Sequence, residues 1–162
     1  MQMTAIRCLI VALACSASLS APGQTHPMPS ASEYSASILP LRDDVVSWKT
    51  LSHVRLVKEN GGLVMNFSDE ILGLDQKELR VQGFMIPLGT GQEQTHFLLS
   101  AVPPSCPFCV PAVAYEIVEV RSGKPVAYGF EPIVVAGRLS VLKHDPAGVI
   151  YRMSEAMPVA TR

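Results

Sequence analysis

Cys106 and Cys109 stand three residues apart in Ser105-Cys106-Pro107-Phe108-Cys109-Val110-Pro111, and three chemistries suit that spacing. Two thiolates can bite one soft ion from a single turn, as in zinc and copper(I) sites. They can cycle as a redox dithiol. They can also close as a tight disulfide, whose small ring stabilises by less than the ~3 kcal/mol that chain entropy gives a fifteen-residue loop and is readily reduced. A thioredoxin-like centre fits poorly. It needs a long helix starting at the first cysteine, where Pro111 would cost about 3 kcal/mol, and the segments after Cys109 read as strands.

Two thiolates rarely hold an ion alone, so further donors are needed. His96 lies ten residues before Cys106, and strand parity turns it away from the face that carries Phe97 and Leu99. The expected metal set is therefore Cys106, Cys109 and His96, with zinc or copper(I) as the ion. His53 and His144 are further candidates, although His144 beside Asp145-Pro146 reads as a turn residue. Met85 and Met153 read as core filler, and His26 has no assigned role. No nucleotide loop, GxSxG or HExxH occurs. Glu116 and Glu119 read as a solvated strand edge, which leaves catalysis no candidate outside the thiols.

The elements that must position these residues begin after a leader. Arg7, the apolar run Cys8 to Ala14 and the small residues that follow predict a secretory signal peptide over 1–21, too short in its apolar core to span a bilayer. Lipidation at Cys15 is the alternative, but the large aliphatic residue expected three positions earlier is missing. With Cys8 and Cys15 removed, Cys106 and Cys109 are the thiols of an exported chain. Residues 22–40, rich in Ser, Pro and Ala, read as a flexible leader, and 41–162 as a single domain. Balanced charge, with 13 basic and 14 acidic residues, offers nothing to nucleic acid or an anionic membrane surface.

Asp43 is expected to cap a short helix that carries Val45, Trp48 and Leu51 on one face, with Trp48 a core plug. Asn60-Gly61-Gly62 marks a turn between strands at 53–57 and 63–67, and 68–74 suggests one helical turn. A further strand is expected at 113–120, ending in a turn at Arg121-Ser122-Gly123-Lys124-Pro125. An internal echo stands out. Leu79 to Phe84 matches Ile133 to Arg138 at an offset of 54, and His96 to Ser100 falls on Ile150 to Ser154 at the same offset. Two similar hairpins follow, each with a glycine, Gly83 or Gly137, where the sheet must bend. The fold expected is all-β, a small OB-like Greek-key barrel with a short N-terminal helix, or failing that a β-sandwich.

Trp48, Gly83-Phe84-Met85-Ile86-Pro87-Leu88, Phe97-Leu98-Leu99 and the Cys106 proline segment together resemble the domain-of-unknown-function family 3299, from about Trp48 to Met153. In that pattern the cysteine is followed two or three positions on by cysteine or histidine, then by several prolines and Asn-Gln. Cys106 and Cys109 match, whereas Val110-Pro111-Ala112-Val113 replaces the rest. The resemblance implies a periplasmic, non-catalytic protein of metal-handling or transporter-linked settings, with a metal ion and a membrane transporter component as partners. The competing expectations are a redox-sensing dithiol module and an interaction domain that docks a transporter through the face near Phe84 and Phe108.

Overall fold

In a computed structural model, residues 30–59, 61–104 and 113–160 are described. The expected signal peptide, His26, Phe108, Cys106 and Cys109 lie outside them. The chain runs α1 (Ala31–Ile38), α2 (Trp48–Leu51), β1 (Val54–Glu59), β2 (Gly62–Phe67), α3 (Asp69–Leu72), β3 (Glu78–Pro87), β4 (Glu93–Ser100), a 3-10 turn (Ala114–Glu116), β5 (Ile117–Ala127), β6 (Ile133–Val141) and β7 (Tyr151–Val159). Five strands close a barrel in the order β3-β4-β5-β7-β6, while β1 and β2 form a separate two-stranded ribbon. All barrel pairs are antiparallel except β5 with β7. Counted from β3, the order is 1-2-3-5-4 with the third and fifth strands parallel, which is the Greek-key closure of an OB-like barrel.

The echo is built into this barrel. On β3 and β6, Leu79 faces Gly137 and Gly83 faces Ile133, with Val81 opposite Val135 at the centre. Each pair maps onto its counterpart when 54 is added to one residue and subtracted from the other, so the β3–β4 and β6–β7 hairpins are related by a local two-fold between β3 and β6. Inside, Val81, Met85, Phe97, Leu99, Val118, Val120, Val135, Leu139, Tyr151 and Met153 are all buried. Met85 and Met153 are thus core residues.

One barrel end is plugged by α2. Trp48 and Leu51 are buried there; Trp48 Nε1–H donates to the Gln82 carbonyl at 2.8 Å and the Tyr151 hydroxyl donates to the Leu51 carbonyl at 2.7 Å. Burial pushes the Tyr151 phenol well above its ordinary pKa, so it stays a donor. Tyr151→Phe would leave the Leu51 carbonyl without its buried partner, and the expected cost is about 1–3 kcal/mol in chemical denaturation.

Four expectations are corrected. Residues 31–38 are a helix rather than flexible leader, because Ser30 and Glu33 form a reciprocal capping box. The helix expected from Asp43 starts only at Trp48 with Ser47 as its cap: Val46 N–H is drawn to the Arg80 carbonyl at 2.8 Å, and Asp44 is engaged by Arg42 and Arg80. The strand expected from 113 begins at Ile117, after the 3-10 turn. Residues 121–125 do not turn the chain; β5 runs on to Ala127. Between the pairs His96–Arg121 and Gln94–Val126, Thr95 on β4 faces the four residues 122–125 on β5, a bulge held by the Ser122 hydroxyl, whose single proton has the Lys124 and Ala156 carbonyls within reach at 2.6 and 2.9 Å.

Candidate functional site

β4 leads into the thiol segment and β5 leads out of it, and the two strands close its base. Ser100 faces Ile117 across the pair, and just beyond it Ala101 N–H donates to the Glu116 carbonyl at 3.1 Å. Val102 N–H donates to the Ser100 hydroxyl at 3.3 Å, and Val113 N–H to the Glu116 carboxylate at 3.4 Å. Glu116 is buried. Burial pushes its carboxyl upward, against the backbone N–H donors of Val113, Ala31 and Ser32. The same side chain therefore ties down the start of α1 and the returning stem of the segment that carries Cys106 and Cys109. It is not the solvated edge expected for it.

His96 sits on the outer face of β4, four residues before Ser100, or roughly 13 Å of strand. Its side chain is about half exposed at 51%, and Nε2–H donates to Glu119 Oε1 at 2.8 Å. A carboxylate only accepts, so the shared proton sits on the imidazole Nε2. Nδ1 is the nitrogen left for a ligand, and it offers a lone pair when the ring is neutral; the Glu119 bond fixes the ring's orientation. A carboxylate behind an imidazole is the usual outer-shell partner of a metal-ligating histidine.

Glu119 is likewise not the solvated edge expected for it, with only 7% of its side chain exposed. Val118 and Val120 point into the barrel, which turns Glu119 outward; Arg121 and Arg152 then close over it, donating at 3.1 and 2.6 Å. Arg152 also reaches Asp145 at 3.0 Å. Burial alone would raise the Glu119 carboxyl, but the bonds from Arg152, His96 and Arg121 outweigh it and hold the pKa below the ordinary carboxylate value. A depressed folded pKa adds stability above pH ~4.5, lost as pH falls through the folded value. Glu119→Gln is expected to cost about 2 kcal/mol at pH 7, discounted because Arg121 is largely exposed. In urea titrations the gap from the parent protein should shrink below pH 4.5.

The other candidate donors are dispersed. His53 Nδ1 lies 3.4 Å from Glu70 Oε2 on the helical side of the molecule. His144 is exposed in the connection between β6 and β7, as its turn-like context suggested. Among the described residues, no three His, Cys, Asp or Glu side chains converge on one point. Phe84, expected near an interaction face, is buried. The sequence did carry a signal for Glu119, since parity places it beside His96 on the outer face; its cover comes from Arg152, thirty-three residues further on, which no local pattern reports.

The model of the family described as "Protein of unknown function (DUF3299)" matches residues 58–157. A crystal structure of a DUF3299 family protein from Pseudomonas aeruginosa PAO1 is similar at 24% identity with a TM-score of 0.47, over 60% of this chain and 69% of that one. No curated protein matches.

Proposed function

Because this chain belongs to the DUF3299 family, which carries no activity to transfer, we propose its function from its own residues: an exported, periplasmic metal-binding accessory or carrier for zinc or copper(I). Cys106 and Cys109 supply two thiolates and His96 an imidazole nitrogen. One observation carries the reading. His96 has Nε2 committed to a buried carboxylate while half of its side chain stays exposed, on the strand that runs into the thiol segment.

Chain length supports the combination. Cys106 is six residues beyond Ser100, up to roughly 20 Å of extended backbone, against the roughly 13 Å that separates Ser100 from His96. Three protein ligands with the fourth position open suit transfer between partners better than permanent structural binding, which closes all four. A membrane transporter component is the partner that such a carrier would serve.

Metal analysis of the protein as purified, with thiols counted before and after reduction, tests this. The expected result is about one zinc or copper(I) per chain with both thiols masked until the metal is chelated. A metal-free protein with a reversible dithiol would replace the proposal with redox sensing; a metal-free disulfide resistant to mild reductant would make the pair a staple on an interaction domain.

A further inference from the structure

The β1–β2 ribbon stands apart from the barrel and carries charges that the barrel does not use. It is anchored at its base, where Phe67 packs edge-on against Tyr151. Further out, Leu56 and Leu63 are 62% and 72% exposed. The β2 side overhangs a cleft of about 430 Å³ lined by Leu63, Met65, Leu142 and Val149, whereas among the described residues no strand pairs with the other side of β1. A two-stranded ribbon is marginal alone, and an open edge is a template for another strand.

The pairing pattern shows which backbone groups are open. A two-residue connection makes Glu59 and Gly62 the hydrogen-bonded closing pair. By alternation Val57–Val64 and Arg55–Asn66 are bonded likewise, so the N–H and C=O groups of Leu56 and Lys58 point away from β2. Arg55 and Glu59 are exposed on one face of β1, and among the described residues neither joins an ion pair.

We propose that β1 pairs antiparallel with β1 of a second copy about a two-fold axis through Val57, producing a continuous four-stranded sheet. Leu56 and Lys58 then exchange backbone hydrogen bonds across the axis. Arg55 stands opposite Glu59 of the second copy, and Glu59 opposite its Arg55, both at the close non-hydrogen-bonded positions where cross-strand side chains interact best. Charge selects this register. An axis between Leu56 and Val57 sets Arg55 against Lys58 twice, and an axis through Leu56 leaves Arg55 opposite Val57 and unmatched.

Analytical ultracentrifugation of the purified protein under reducing conditions, which removes thiol crosslinks, tests the interface. The parent protein is expected to show a concentration-dependent monomer–dimer equilibrium. Arg55→Glu and Glu59→Arg should each raise the dimer Kd by about tenfold or more, while an equimolar mixture of the two variants, and the double exchange R55E/E59R, should regain parent affinity. Both residues are exposed, so unchanged thermal melts serve as the folding control. A parent protein that stays monomeric at all concentrations would overturn the proposal, including the case in which the edge takes an extended peptide of another protein. Dimerisation indifferent to both reversals would overturn it equally.

Discussion

Gly137→Ala is expected to destabilise the domain by about 3 kcal/mol, roughly 10 °C in melting temperature, and Gly83→Ala by a similar amount. A Cβ on Gly137 would lie 2.7 Å from the Ser154 carbonyl oxygen, 3.0 Å from Ala156 Cα and 3.0 Å from Met153 Cγ. A Cβ on Gly83 would lie 2.6 Å from the Ser100 carbonyl oxygen and 2.9 Å from Leu99 Cγ. Ser100 and Leu99 become Ser154 and Met153 when 54 is added, so the two clashes are one clash repeated by the internal symmetry. In each the nearest atom belongs to strand backbone, which cannot step aside without breaking the ladder. On β7 the pairing slips opposite Gly137, and Glu155 takes a left-handed φ of 53° there. Gly123→Ala is the control: its Cβ would meet only Met157 Sδ at 3.8 Å, and the melt should move little.

Cys106→Ser is expected to lower zinc or copper(I) affinity by more than a hundredfold, read by competition with a chromophoric chelator, with the melting curve of the metal-free protein unchanged. Loss of an outer-shell partner alone costs ten- to a hundredfold in metal sites, and a thiolate ligand contributes more than its support does. Cys109→Ser should match it. Glu119→Gln should fall in the smaller range, since it frees the ring of His96 but removes no ligand. Equal losses for all three variants would mean that the fold, not coordination, had been damaged. Stoichiometric metal in the double serine variant would place the ion elsewhere.

The barrel was legible because its evidence is periodic and local. Alternation at Leu79, Val81 and Met85 and again at Ile133, Val135 and Leu139 assigns an inner face, and the 54-residue echo with its paired glycines implies two hairpins that bend alike. Trp48 as a plug followed from one large aromatic ring among apolar neighbours. What stayed hidden depends on partners distant in sequence. Glu119 looks solvated until Arg152 is laid over it by the parallel β5–β7 pair, and Glu116 until α1 docks on it. The residues Arg121 to Pro125 have the composition of a turn, and the same composition suits a bulge; only the continued pairing of β5 with β4 decides between them. The capping box of Ser30 and Glu33 was present in the sequence but obscured by its Ser- and Ala-rich surroundings.

X-ray absorption spectroscopy at the metal edge of zinc-loaded protein reads the proposed ligand set itself. Two sulfur scatterers near 2.3 Å and an imidazole nitrogen near 2.0 Å are expected, with the nitrogen contribution reduced in His96→Ala and the sulfur shell retained. A shell of oxygen and nitrogen without sulfur would contradict that ligand set.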